Sequence, residues 1–139
     1  MADQPFQFRR GGRILEDVNW AFRGEPFADR AEFSRRVHEW QRQIGGHAWR
    51  PEEVVIRAPR VRIEYLGVRD PSDEVYQDLT FDLVADDGRS FTADELLFKL
   101  HNAVVERLRE SDHQYFEGLE PLPQSAPDGT LVYRMRQGS

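Results

Sequence analysis

The apolar positions between residues 29 and 44 recur with the period of a helix. Four large apolar side chains follow one another at steps of four, three and four residues, which places them on one helix face. They are Phe33, Val37, Trp40 and Ile44. Asp29 can cap the amino end, Glu32 is spaced as in a capping box, and Gly45–Gly46 supplies a left-handed stop. The pattern predicts a helix over 29–44.

A second helix is predicted over 93–110, and its apolar surface is much broader. Apolar side chains cover well over half of its circumference. They are Leu96, Leu97, Phe98, Leu100, Ala103, Val104, Val105 and Leu108. Thr92 and Glu95 have the spacing of a capping box. Because this surface exceeds what a small sheet covers, we expect the helix to pack across the sheet and against the first helix or a neighbouring chain.

Alternating apolar and polar positions predict strands in the middle of the chain. Val61, Ile63 and Tyr65 alternate with charged residues, and Pro59 separates them from the short apolar run 54–56. Residues 79–85 alternate in the same way. Three strands, or two with a bent edge strand, are therefore expected between the two helices.

The end of the chain completes the predicted fold. Residues 131–136 alternate as a closing strand, which can form a hairpin with 115–120. The element order α-β-β-β-α-β predicts an α+β fold, in which an antiparallel sheet of four to five strands carries both main helices on one face. Residues 1–27 fit either a strand or a short helix.

Composition favours one packed domain over residues 1–139. The chain is 39% hydrophobic and 12% aromatic, which suffices for a core. It has no cysteine, which excludes disulfides, thiol nucleophiles and cysteine-ligated metal sites. Met1–Gly12 lacks the apolar region of a signal peptide, and no apolar run approaches the roughly 20 residues of a membrane-spanning helix. We therefore expect a cytoplasmic protein that does not contact a membrane.

Charge is divided unevenly along the chain, whose net charge is −6. Residues 1–69 hold 13 basic and 10 acidic side chains, whereas residues 70–139 hold 6 basic and 15 acidic ones. Ordinary surface solvation explains such a division, although a dipolar surface can also orient a charged partner. All basic residues except Lys99 are arginine, which we interpret as the codon bias of a GC-rich bacterial genome.

The sequence carries no strong catalytic motif. It has no glycine-rich phosphate loop, no nucleophile elbow and no HExxH spacing. The acidic stretch 70–78 lacks the central glycine and terminal glutamate of a calcium-binding loop. We predict no metal ion and no cofactor.

His101 is the titratable residue with the most unusual position, because it falls within the apolar arc of the second helix. A buried imidazole requires a hydrogen-bond partner and can titrate near neutral pH. One interpretation is a structural histidine at the edge of the core. The other is a ligand-binding or catalytic residue that lines a pocket together with His113 and Glu117.

Tyr115 and Phe116 follow the second helix within the polar segment 111–118. They can form a helix cap followed by an aromatic side chain that enters the core. Alternatively, they are partly exposed and belong to a recognition surface, because exposed aromatics beside polar residues mark interfaces.

Three arginines, Arg57, Arg60 and Arg62, form a second candidate interface. We favour the interpretation that arginines on this strand pair with Asp78 and Asp82 across the sheet. Those carboxylates would cancel much of the sustained positive surface that a nucleic-acid partner requires, so nucleic-acid binding is not expected.

These observations predict a non-enzymatic protein-binding module, in the class of inhibitors or immunity proteins that occupy a partner protein. The prediction depends on the missing catalytic motifs, the acidic second half and the broad apolar helix. One alternative is a small-ligand-binding protein or enzyme that uses His101. The other is a homo-oligomeric assembly subunit, such as a homodimer, in which the helix over 93–110 packs against its copy.

Overall fold

Two helices and seven strands are present over the part of the chain that the structure describes. The structure is a computed structural model, and it describes residues 13–70 and 75–138. In chain order the elements are β1 (Trp20–Ala21), α1 (Arg30–Gln43), β2 (Val54–Ile56), β3 (Arg60–Val68), β4 (Tyr76–Val84), β5 (Phe91–Thr92), α2 (Ala93–Leu108), β6 (Tyr115–Pro121) and β7 (Leu131–Gly138). The expectation of a strand or helix within 1–27 is met by the short strand β1, and residues 1–12 lie outside the described residues.

Each helix begins at the cap that the sequence marks. The Asp29 carboxylate accepts a hydrogen bond from the Ala31 N–H at 2.9 Å, and Gly45 ends α1 with a φ of 80°. The Thr92 hydroxyl accepts a hydrogen bond from the Glu95 N–H at 3.4 Å. Among the described residues, no helix is long and apolar enough to cross a membrane.

Five strands form the main sheet, in the order β1-β6-β7-β3-β4. β3 and β4 pair antiparallel from Arg60 opposite Val84 to Val68 opposite Tyr76. β6 and β7 form the predicted antiparallel hairpin. The α+β class is confirmed, but the sheet is mixed and not purely antiparallel, because β7 runs parallel to β3.

The parallel pair has a topological cause. α2 carries the chain from the end of β4 to the far side of the sheet, and the β6–β7 hairpin then joins the sheet as a unit with β7 beside β3. A parallel pair requires such a long crossover between its strands. Side chains alternate with a period of two in both strand directions, so the alternation in 131–136 could not reveal which direction β7 takes.

β2 lies outside the main sheet and pairs with β5 as a separate two-stranded ribbon. Pro59 stands between β2 and β3 and has no N–H to donate. Its carbonyl accepts a hydrogen bond from the Ala85 N–H at 2.8 Å. The break at this proline therefore separates two sheets, and does not bend a single edge strand.

The core lies between the sheet and the two helices. α2 packs on β3 and against α1. Its fully buried aliphatic side chains are Leu96, Leu97, Leu100, Val104 and Leu108. α1 and the segment before it cover the part of α2 that the sheet does not reach. The broad apolar surface of α2 is thus buried within the chain and no longer supports a partner or a copy packed against this helix.

Side-chain amides hold the segment from Asn19 to Phe27 against the helices. Gln41 donates from Nε2 to the Asn19 carbonyl at 2.6 Å and accepts at Oε1 from the Asn19 N–H at 2.9 Å. Asn102 makes the same pair of hydrogen bonds with Phe27, both at 2.8 Å. Gln41 is therefore buried, whereas Ile44, which the helical period placed on the buried face, is 52% exposed.

Candidate protein-interaction surface

His101 lies in the core with its side chain fully buried. The Trp20 indole N–H donates to His101 Nδ1 at 3.1 Å, and His101 Nε2 lies 3.0 Å from the Glu25 carbonyl oxygen. Because Nδ1 accepts, Nε2 carries the proton and the imidazole is neutral. Burial lowers the pKa of His101, and the hydrogen bond to the Glu25 carbonyl offsets only part of this shift.

Aromatic rings surround this imidazole. The centroids of Trp20, Phe22, Phe27 and Phe33 all lie between 5.2 and 6.0 Å from that of His101. Both ring nitrogens have protein partners, so neither is available to a ligand in this arrangement. The geometry favours the structural interpretation of His101.

The other two residues of the candidate pocket lie elsewhere. The His113 ring packs edge-on against Tyr76 with centroids 5.0 Å apart, and its backbone N–H donates to the Ser111 hydroxyl at 2.9 Å. Glu117 is exposed on β6. In residues 13–70 and 75–138, no hydrogen bond, ion pair or ring contact joins His101, His113 and Glu117.

Tyr115 and Phe116 point in different directions at the start of β6. Phe116 is buried and packs edge-on against Phe22, with centroids 6.1 Å apart. Tyr115 is half-buried beneath Arg23, whose guanidinium carbon lies 5.1 Å from the ring centroid and which donates to the tyrosine hydroxyl. Phe116 belongs to the core, and Tyr115 keeps one partly exposed edge.

The face of the sheet opposite the helices is covered with paired charges. Arg62 stands directly opposite Asp82 and donates to both carboxylate oxygens, at 2.7 and 3.1 Å. This hydrogen bond lowers the pKa of Asp82 and raises that of Arg62. Arg134 bridges Asp78 at 3.0 Å and Glu64 at 3.8 Å. The face therefore alternates in sign and offers no sustained positive surface.

Arg57 and Arg60 form no hydrogen bond with the carboxylates of this face among the described residues. Arg57 is exposed in the loop after β2. Arg60 is exposed at the start of β3, opposite Val84 and on the same face as Arg62. Of the three predicted interface arginines, Arg62 is thus the one hydrogen-bonded to a carboxylate on β4.

β4 is an edge strand, with β3 on one side and no strand of the described residues on the other. The backbone groups of successive residues in β4 point alternately at β3 and away from it. The hydrogen bond from the Ala85 N–H to the Pro59 carbonyl shows which residues point at β3. Residues 77, 79, 81 and 83 therefore direct their backbone groups at β3. The backbone groups of Tyr76, Asp78, Thr80 and Asp82 point away from the sheet.

Two contacts agree with this alternation. Lys99 Nζ donates to the Val84 carbonyl at 2.6 Å from outside the β3–β4 pair. On β3, the Leu66 N–H and carbonyl face β7 and pair with the Gln137 amide at 2.8 and 2.9 Å. Lys99 thus covers one outward carbonyl at the end of β4.

The opposite edge of the sheet is protected. There, β1 pairs with β6 through Trp20 opposite Phe116. Ile14 adds a bridge to Leu119, with hydrogen bonds of 2.8 and 2.9 Å in the two directions. The segment that contains β1 therefore covers one edge of the sheet, whereas β4 leaves the other edge open among the described residues.

A shallow groove of roughly 350 Å³ continues from the end of β4. Pro59, Arg60 and the loop before β7 line it, together with Val84 and Leu131. These two side chains are 55% and 42% exposed, which is high for large apolar residues. The groove and the β4 edge form one continuous surface, because Val84 belongs to both.

Sequence reasoning recognised β4 as a half-buried strand but could not assign it to an edge. Strand order decides this, and the alternation of 79–85 is the same at an edge or in the middle of a sheet. The half-burial of Leu79 and Phe81, which face the helices, is visible in the fold alone.

No protein-family model matches this chain, and no curated protein or solved structure is significantly similar to it.

Proposed function

We propose that this protein is a non-enzymatic protein-binding module and that the outer edge of β4 is its docking element. The partner contributes an extended segment that adds a strand beside β4. The observation that carries this proposal is the regular nine-residue edge strand, whose outward backbone groups meet no other strand of the described residues. In this mode of recognition, main-chain hydrogen bonds provide affinity and alternate side chains provide specificity.

Most of the usual protection is absent from β4, which supports this choice of surface. Natural edge strands avoid pairing with other chains through proline, lysine and other charged side chains, bulges or short length, and Asp78 and Asp82 are the charged side chains of β4. Between Tyr76 and Val84 there is no proline or lysine, and the pairing with β3 runs through nine residue pairs without a bulge. Lys99 covers only the Val84 carbonyl, at the end of the strand.

The side chains of β4 define the partner segment. Leu79 and Phe81 face the helix layer and are half-buried, so apolar residues of an added strand would extend the core beside them. Asp78, Thr80 and Asp82 face the charged side, where polar residues fit. The partner segment therefore alternates apolar and polar side chains.

The inhibitor or immunity class remains part of this proposal, because such a protein acts by occupying a surface of its partner. An enzyme that uses His101 receives less support, since both nitrogens of that ring are hydrogen-bonded in the core. Assembly of copies is the second candidate, and the same open edge favours it.

Site-specific photo-crosslinking tests the docking role. A photoreactive residue at Asp78 should form adducts with a polypeptide strand in the cells that produce the protein, whereas one at the exposed Ile44 should not. Thr80→Pro should abolish the Asp78 adducts, because it removes an outward N–H while the N–H groups that pair with β3 remain. Equal adducts at both positions, or none at Asp78, would contradict the proposal.

A further inference from the structure

We infer that the strand that pairs with β4 is β4 of a second copy of this chain, antiparallel and centred on Leu79. This inference rests on the proposed docking role of the edge. It follows from the symmetry of the outward backbone groups, from the charges on the strand and from the side chains that face the helix layer.

The outward backbone groups define a symmetric window. Tyr76, Asp78, Thr80 and Asp82 offer both an N–H and a carbonyl, and Lys99 occupies the next outward carbonyl, that of Val84. The centre of this window is Leu79. A twofold axis at Leu79 therefore pairs every residue of the window with another residue of the window, and each such pair exchanges two hydrogen bonds.

Charge selects the same register. With the axis at Leu79, Asp78 stands opposite Thr80 of the copy, and Asp82 stands opposite Tyr76. Carboxylates thus meet hydroxyl-bearing side chains. With the axis at Thr80, Asp78 would stand opposite Asp82 of the copy, and like charges directly opposite each other destabilise a sheet.

The same charges argue for a copy over a basic peptide. Asp78 is bridged by Arg134 at 3.0 Å, and Asp82 accepts two hydrogen bonds from Arg62. Since Arg134 and Arg62 already pair with these carboxylates, a lysine or arginine of a peptide would have to displace them. A strand without basic residues, such as β4 of a copy, fits better.

The helix-facing side is also self-complementary. In this register Leu79 contacts Leu79 of the copy, and Gln77 stands opposite Phe81. Leu79 and Phe81 are both half-buried in the single chain. In the pair, Leu79 gains an apolar neighbour, and Gln77 of the copy covers Phe81. The two helix layers then lie on the same side of one continuous sheet.

Single cysteines test the register, because the natural chain has none. Leu79→Cys places two thiols at a directly opposed pair that shares no hydrogen bonds, where Cα atoms lie about 4.5 Å apart and a disulfide fits. Under mild oxidation this variant should form a covalent dimer. Thr80→Cys and Ile44→Cys should form no covalent dimer. Thr80 would be self-opposed only with the axis at Thr80, and Ile44→Cys is the control for random collision.

Sedimentation equilibrium of the cysteine-free protein provides a second measurement that needs no substitution at Leu79. The wild-type chain should dimerise reversibly, and Thr80→Pro should raise the dissociation constant at least about 30-fold, because it deletes two symmetric hydrogen bonds. Circular dichroism of the variant checks that the fold is retained.

The outcomes separate this inference from the proposed function. A wild-type chain that stays monomeric at hundreds of micromolar overturns pairing between copies, but leaves the docking role intact if Asp78 still crosslinks to another polypeptide. A dimer that Thr80→Pro does not weaken overturns pairing through β4. Efficient crosslinking of Thr80→Cys instead of Leu79→Cys overturns the register.

Discussion

At the scale of single residues, buried polar side chains hold the fold together through specific hydrogen bonds. His101 connects Trp20 on β1 with the Glu25 carbonyl, and it does so as a neutral ring. The rings around it are aromatic, so no carboxylate stabilises an added proton. Protonation would put a hydrogen on Nδ1, the nitrogen that accepts the hydrogen bond from the Trp20 N–H. The two N–H groups would then face each other, and this hydrogen bond would be lost.

Acid should therefore destabilise the protein through His101. Its pKa is lowered in the folded state, so its contribution is complete above the pKa of the unfolded chain, about 6.5, and is lost as the pH falls towards the folded value. Over that window the free energy of unfolding should fall by up to about 1.4 kcal/mol per pH unit from this residue. Urea titrations between pH 5 and 8 measure the fall.

The matched control is His101→Gln, whose amide can still accept from Trp20 and donate to the Glu25 carbonyl. Its free energy of unfolding should lack this part of the pH dependence. If wild type and variant lose stability in parallel between pH 7 and 5, His101 is not the group responsible.

At the scale of elements, side-chain amides fasten the N-terminal segment to the helices. The Gln41 side chain hydrogen-bonds both the N–H and the carbonyl of Asn19, as a neighbouring strand would. The Asn102 side chain makes the same two hydrogen bonds with Phe27. These contacts satisfy backbone groups that would otherwise lose water without gaining a partner.

Gln41→Leu should destabilise the fold by about 2 kcal/mol, because it leaves the partly buried Asn19 N–H and carbonyl unpaired while keeping the size of the side chain. Gln43→Leu is the matched control on the exposed side of the same helix and should change stability by less than about 0.5 kcal/mol. Thermal or urea unfolding compares the two. Similar losses in both variants would show that the amide contacts do not carry this stability.

The elements differ in how far the sequence predicts them. Asp29 and Thr92 mark the helix starts correctly, because capping depends on neighbours within four residues. Gln41 was not predicted to be buried, since its partner Asn19 is 22 positions away and no local pattern reveals it. The expectation of a purely antiparallel sheet was wrong for the same reason: alternation defines a strand and its buried side, but not its neighbours or their direction.

At the scale of the whole molecule, the sheet brings the two differently charged halves of the chain together. Arg62, from the basic half, pairs with Asp82 from the acidic half, so the division seen along the sequence becomes an alternating surface in the fold. The candidate histidine pocket was predicted from types of residue, and the fold separates its members. The open β4 edge depends on strand order, so it becomes visible at this scale alone.

Residue-resolved amide exchange by NMR tests the pairing of β4 most directly, because it observes the backbone groups themselves. At low protein concentration, the amides of Leu79, Phe81 and Leu83 should be protected, and those of Asp78, Thr80 and Asp82 should exchange rapidly. As the concentration rises, the second set should become protected while the first set is unchanged. Two results would contradict pairing between copies through β4: protection of the second set already at the lowest concentration, or rapid exchange of that set at every concentration.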